Sequence, residues 1–297
     1  MTSHDVVDRV RRRLKMIGAG HLGTLDPMAS GLLLVATEAA TRCATMWQGG
    51  EKTYEATVRF GVVTTTQDMT GDVIARRPVD GLDEARVRAA AAELEGEIDQ
   101  VPPMVSALKV KGQRLYRLAR RGIEVERAPR RVRVSPWEWI AFDGSTASFR
   151  VRCTSGTYVR TLAHDLGEKL GVGGALERLR RLRIEPYDLE GAVTLRDLDQ
   201  LPADEVLERA LIPLDRALAP FPSVTIDAAD VLALGYGRAV TVRSAPGLPL
   251  DAGRDPVVLR DEDGGALAIG SLDPDPVSGW IARPHRVFPW AVREGRP

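Results

Sequence analysis

Cysteine is nearly absent from this chain of 297 residues, with only Cys43 and Cys153 present. They can form one bridge at most, and no C-x-x-C or Cys/His cluster surrounds either. A disulfide framework and a zinc site are therefore not indicated, and we expect two buried, reduced thiols. Long apolar runs are missing as well. No stretch approaches the ~18 residues of a membrane-spanning helix. The basic opening MTSHDVVDRVRRRLK leads into no apolar segment of signal-peptide length, so a cytoplasmic protein is expected. Nor is there an excess of charge of one sign, since 41 basic and 41 acidic residues cancel. Taken alone, that balance speaks against a nucleic-acid partner, whose footprint is basic.

What is present is the composition of an ordinary soluble protein, 44% hydrophobic and 28% charged, with length enough for two domains. The zero charge is an average over two unlike parts. Residues 1–183 hold 30 Lys/Arg and 22 Asp/Glu, a balance of +8, and residues 184–297 hold 11 and 19, a balance of −8. Within the second part, residues 184–220 carry 9 acids and 3 bases together with Pro202, Pro213 and Pro220, and are read as a connecting segment. From about Val224 to Phe288 short apolar strands alternate with Gly/Pro turns, which predicts a small β-rich domain over 221–297.

In the first part, Val6, Val7, Val10 and Leu14 fall at helical spacing among arginines, predicting a basic amphipathic helix capped by Ser3 or Asp5. Leu32 to Ala36 is short enough for a buried strand, and Thr53 to Val63 alternates as a strand should. Asp83 to Leu94 is read as a helix, and Gln113 to Arg121 as a short basic helix. Val132 to Phe142 and Ala147 to Cys153 read as two strands around the turn DGST. Thr157 to Leu170 reads as a helix ended by Gly171.

Gly18, Gly20 and Gly23 spell G-x-G-x-x-G, the dinucleotide-binding pattern. That chemistry needs a buried strand before the glycines and a helix after them. Here RRRLK precedes and TLDP follows, so a nicotinamide-dependent oxidoreductase is rejected. Asp26, in Gly23-Thr24-Leu25-Asp26-Pro27, is a better chemical candidate. An Asp before Pro suits a turn, its carboxylate bonding nearby backbone N–H groups. The same carboxylate could serve as a nucleophile if a cationic partner held it ionised, and spacing does not decide between the two.

The run GHLGTLDPMASGLLLVATEAATR resembles the signature of the TruB family of transfer-RNA pseudouridine synthases. Further segments agree in order: EKTYEATVRFGVVTTTQD, QVPPMVSALKVKGQRLYRLARRGIEV, and CTSGTYVRTLAHDLGEKLGVGG followed by LERLRRLR. The resemblance spans most of residues 2–183. It implies an α/β (α+β) fold, with a pseudouridine-synthase-like mixed, largely antiparallel sheet flanked by helices over 1–183 and a small PUA-like β-rich domain at the C-terminus. It also implies isomerisation of uridine 55 in the T-arm loop of tRNA to pseudouridine by a monomer, with no cofactor and no metal. Asp26 matches the family's catalytic aspartate, Tyr54 the tyrosine that stacks on the extruded uracil, and Arg160 the arginine that pairs with the aspartate. Tyr158 and Leu179 match pocket residues, and His21 the histidine of the loop that enters the T-loop. From the residues alone, Tyr54 and Leu179 would equally be core residues, Arg160 a surface cation and His21 a loop hydrogen-bonder. Lys109 to Arg133 holds 10 bases and 2 acids. Such a run is usually a solvated face; beside an RNA site, Lys109, Lys111 and Arg114 are expected to meet phosphates.

The chain departs from the family pattern in two places. In relatives an apolar strand and a D-K-P-x-G segment precede T-S-H-D, whereas here Thr2-Ser3-His4-Asp5 follows Met1 directly. The resemblance then implies an unpaired sheet edge and a missing lysine near the site. Leu22 stands where a smaller residue is expected. The first departure keeps a second reading in view, a tRNA-binding or tRNA-folding protein without turnover, whereas Leu22 affects fit more than chemistry.

Overall fold

The computed structural model of the protein describes residues 1–106, 108–110, 112–119, 121–242, 254–276 and 279–292. The chain divides into two compact units, one of Met1–Val6, Gly23–Leu34 and Trp47–Ala192, the other of Val7–Leu22, Val35–Met46 and Val193–Pro297.

The first unit is built on an eight-stranded sheet. Its strands are β1 (Ser30–Gly31), β2 (Lys52–Phe60), β3 (Gly96–Gln100), β4 (Arg130–Val134), β5 (Glu138–Phe142), β6 (Thr146–Cys153), β7 (Gly174–Ile184) and β8 (Tyr187–Asp188). The order is β8-β7-β2-β6-β4-β3, with β5 on β6 and β1 on β7. Every pairing is antiparallel except β1 with β7, so the mixed, largely antiparallel sheet is present. Period-2 alternation explains the two central strands. Tyr54, Ala56, Val58 and Phe60 on β2 and Ala147, Phe149, Val151 and Cys153 on β6 all point into one core. Both cysteines are free and buried.

Two helices cover that core face, α1 (Glu84–Ala92), capped by the Asp83 carboxylate, and α3 (Val159–Lys169); a shorter one, α2 (Leu115–Ala119), lies between them in the chain. On α3, Val159, Leu162, Ala163 and Leu166 are buried, the i, i+3, i+4, i+7 stripe of an amphipathic helix. Its last turn presses directly on the start of β7. A Cβ placed on Gly167 would lie 2.1 Å from the Gly174 nitrogen, so the two backbones touch there.

Several local expectations are corrected. Residues Val132 to Phe142 are two strands, because Pro136 has no N–H for the ladder and Trp137 N–H bonds the Glu95 carboxylate instead. The basic helix expected at Gln113–Arg121 is confined to α2, since Gln113–Arg114 pairs with Lys109–Val110 as a hairpin. Leu32–Ala36 is not one strand: Leu32 N–H bonds the Arg181 carbonyl beside β7, and Val35–Thr37 pairs elsewhere. The first helix, Ser3–Arg13, is capped by Thr2, whose hydroxyl accepts from Asp5 N–H while the Asp5 carboxylate accepts from Thr2 N–H.

In the second unit, Ala19–His21 pairs antiparallel with Val35–Thr37. The acidic stretch contributes three helices, α4 (Leu195–Gln200), α5 (Ala203–Ala210) and α6 (Leu214–Leu218). Pro202 and Pro213 stand immediately before α5 and α6, where a missing N–H is harmless. A five-stranded sheet follows, of β9 (Ser223–Thr225), β10 (Val240–Val242), β11 (Arg254–Arg260), β12 (Ala266–Asp275) and β13 (Gly279–Val287), in the order β9-β11-β12-β13-β10. Its core is formed by Val224, Leu234, Val257, Leu259, Leu272 and Trp280. Among the described residues no helix is long and apolar enough to cross a membrane.

Candidate active site

The segment Gly23-Thr24-Leu25-Asp26 has no regular secondary structure, and its four residues are held by three side chains from distant parts of the sequence. The Gly23 and Thr24 carbonyls accept from the two terminal nitrogens of Arg181, both at 3.2 Å. Leu25 is clamped by the Ser3 hydroxyl, which accepts from Leu25 N–H at 2.8 Å and donates to Leu25 C=O at 3.1 Å. Asp26 is gripped through its side chain by Arg160.

Arg160 is the second residue of α3 and only 3% exposed. Its Nε donates to Asp26 Oδ2 at 2.8 Å and its Nη2 to Asp26 Oδ1 at 3.2 Å, the two-pronged geometry that a planar guanidinium suits. The remaining donors are also engaged, Nη1 with Thr66 C=O at 3.0 Å and Nη2 with Val105 C=O at 2.9 Å. Asp68 places a second carboxylate 3.7 Å from Nη1. Asp68 is itself fixed, accepting from the Thr66 hydroxyl at 2.7 Å and Thr70 N–H at 2.9 Å. A buried cation that lacked this shell would lose far more to desolvation than it could regain. The aspartate is the less buried partner, its side chain 29% exposed, so the carboxylate faces outward while the guanidinium stays inside.

Tyr54 lies on β2 in register with Arg181 on β7. Burial pushes its hydroxyl up to about 12, against the opposing pull of the Arg181 charge and hydrogen bond, and the Asp26 charge acts in the same direction as burial. At neutral pH the ring therefore keeps its proton. Leu179 is opposite Ala56 on the same pair of strands and belongs to the core cluster that includes Tyr54. Tyr158 is the residue that caps α3. Its hydroxyl is also pushed up, by burial first, with the nearby Ser106 hydroxyl and the Arg130 and Arg160 charges opposing.

Arg181 escaped the sequence reading. It is 1% exposed and donates Nε to Leu32 C=O at 2.8 Å, besides the two carbonyls named above. Its neighbourhood explains Gly31, which has φ of +98° and whose Cβ would lie 2.2 Å from the Arg181 carbonyl oxygen, so only glycine fits. In the run Arg178-Leu179-Arg180-Arg181-Leu182-Arg183 no single arginine stands out. The bulge in β7 at Leu176/Arg178 shifts the alternation so that Leu179 and Arg181 both face inward. Asp68 and Gln100, both buried, were likewise passed over, although a polar residue between strand and turn was the available signal.

The structure thus brings Asp26, Tyr54, Tyr158, Arg160 and Leu179 into one unit. His21 belongs to the other unit, where it ends the strand Ala19–His21 opposite Val35. The run Gly18 to Gly23 opens no helix, in keeping with rejection of a dinucleotide site. Lys109 and Arg114 are paired through their backbones, while their side chains, and Lys111 entirely, lie outside the described residues.

Residues 11–159 match the TruB family pseudouridylate synthase N-terminal domain, and residues 160–219 match the tRNA pseudouridylate synthase B C-terminal domain. Among similar proteins, tRNA pseudouridine synthase B of Aromatoleum aromaticum is 47% identical over 92% of this chain and 85% of its own length. The protein of that name from Thermobifida fusca is 45% identical over 90% of this chain and 89% of its own length. Of solved structures, a chain of a Cbf5-Nop10-Gar1 complex superposes with a TM-score of 0.72 at 30% identity, covering 97% of this chain and 82% of that one. A chain of an H/ACA RNP bound to a substrate RNA containing 2′-deoxyuridine gives 0.71 at 27% identity, with 97% and 81% covered. The family model over residues 11–159 and the relatives that align with nine-tenths of the chain establish that the chain belongs to the TruB family of pseudouridylate synthases.

Proposed function

We propose that this chain isomerises uridine 55 in the T-arm loop of tRNA to pseudouridine, acting as a cytoplasmic monomer with Asp26 as nucleophile. The observation that carries the assignment is the Asp26 carboxylate, held by both prongs of the buried Arg160. A uridine stacked in a folded loop is out of reach of such a carboxylate, so it must be flipped out, which costs a few kcal/mol. Stacking on Tyr54 offsets ~1–3 kcal/mol of that.

The N1–C1′ bond then breaks, the uracil turns within the pocket, and C5 bonds to C1′ as the Asp26 carboxylate is released, while the C5 hydrogen leaves as a proton and N1 takes one up. Covalent capture by Asp26 divides this into two easier steps and keeps the detached base from escaping. Arg160 orients the carboxylate through its two-pronged contact. Tyr54, being a neutral phenol, stacks and can relay a proton but supplies no preformed phenolate. Leu179 and Tyr158 bound the base, and the basic segment with Lys109, Lys111 and Arg114 meets the RNA backbone.

The test is Asp26→Asn with T-arm RNA. The expected result is RNA binding without pseudouridine, and formation at the wild-type rate would remove Asp26 from the chemistry. Binding without turnover by the wild-type chain itself would instead favour a tRNA-binding or tRNA-folding role.

A further inference from the structure

Gln100, the last residue of β3, is 2% exposed, and the reaction scheme makes no use of it. Its carboxamide Nε2 donates to Tyr158 C=O at 3.1 Å and its Oε1 accepts from Tyr158 N–H at 2.7 Å. A side-chain amide therefore pairs with one residue's main chain in both directions, as a neighbouring strand would. The Tyr158 carbonyl also accepts from Thr161 N–H and Leu162 N–H, both at 3.1 Å, and so closes the first turn of α3.

Gln100 is in turn anchored in the sheet opposite Arg130. Five residues further along the same chain, Val105 supplies the carbonyl that Arg160 Nη2 reaches at 2.9 Å. One short stretch thus holds α3 at residue 158 and again at residue 160. From these contacts we infer that Gln100 is a positioning residue for the isomerisation, setting the first turn of α3 so that Tyr158 bounds the base and Arg160 meets both oxygens of Asp26. The role rests on the functional reading above. The longer Arg160–Asp26 bond is 3.2 Å. A displacement of α3 by ~1 Å takes it beyond hydrogen-bond range, and misplacement of that size is worth ~100-fold in rate.

The experiment uses the full chain, T-arm RNA and release of hydrogen from C5 of uridine, with Gln100→Met as the variant of similar volume. The expected result is a kcat ~10- to 100-fold lower with KM little changed, because Gln100 touches no RNA. A double variant with Arg160→Lys is expected to lose less than the product of the two single losses, because the two-pronged contact that Gln100 sets is already gone in that background. Unchanged kcat, a loss confined to KM, or strictly multiplicative losses would each overturn the role. Should Gln100→Met not fold, Gln100→Glu decides. It can still accept from Tyr158 N–H but cannot donate to the carbonyl when ionised, so a lowered kcat is expected and a wild-type kcat overturns the role. Absence of turnover by the wild-type chain would sink the functional reading and this role with it, whereas normal wild-type turnover with unaffected variants sinks this role alone.

Discussion

Replacing Arg160 with lysine keeps a positive charge in the site and removes its shape. The guanidinium makes four hydrogen bonds, two to Asp26 and one each to the Thr66 and Val105 carbonyls. An ammonium has three donors diverging from one point, so at least one acceptor must go unpaired, and the planar two-pronged contact with the carboxylate is lost. Each buried acceptor left unpaired costs about 1–3 kcal/mol, which places the stability loss at ~2–6 kcal/mol if two of the four are abandoned. Asp68, close by, limits the loss by keeping the new ammonium compensated. The chemical cost is separate. Asp26 is no longer aimed, and kcat should fall ~100-fold or more. Because Arg160 is almost fully buried, its side chain cannot meet RNA phosphates, and the Kd for T-arm RNA should stay as it is. Thermal melting, filter binding at fixed salt and single-turnover release of C5 hydrogen separate the three quantities. A folded Arg160→Lys enzyme within about threefold of the wild-type rate would refute the claim that two-pronged geometry, rather than charge, is what Arg160 provides.

Two further substitutions probe the same site and the helix that carries it. Tyr54→Phe retains the stacking ring in its buried slot and loses only a hydroxyl that stays protonated at neutral pH. RNA binding should be preserved, and the size of the drop in single-turnover rate reads the proton-relay role directly; near-normal turnover rules out an essential one. Gly167→Ala introduces a Cβ at 2.1 Å from the Gly174 nitrogen and should force α3 off β7, costing ~3 kcal/mol or more. A melting temperature equal to that of the wild type would show that this backbone contact yields without cost.

Much of the frame was legible in the sequence because alternation and helical spacing are local properties. The strands β2 and β6 and the helices α1 and α3 stand close to where their periodicity puts them. The errors fall where a single residue outweighs a pattern. Pro136 splits one apparent strand into two, and a hairpin takes the first residues of an expected helix. In the site, Asp26, Tyr54 and Arg160 were reached through family likeness, since nothing in an Asp-Pro turn or an arginine four residues after a glycine shows that they meet. Arg181 and Gln100 were missed for a related reason. Both act on main-chain atoms, and a bond to a backbone group leaves no mark on the identity of the residue that receives it.

The four residues from Gly23 to Asp26 are synthesised well before most of what holds them. Their bonds run back 22 residues to Ser3, forward 134 to Arg160, and forward 157 and 158 to Arg181. On the ribosome, the aspartate must therefore wait through most of the first unit's synthesis before its geometry can exist. No nascent chain that ends before Arg181 contains all the groups that fix this segment. Catalytic competence should then arrive in one step, with the emergence of β7, and a truncated product ending before that strand should be inert however much of its sheet has formed.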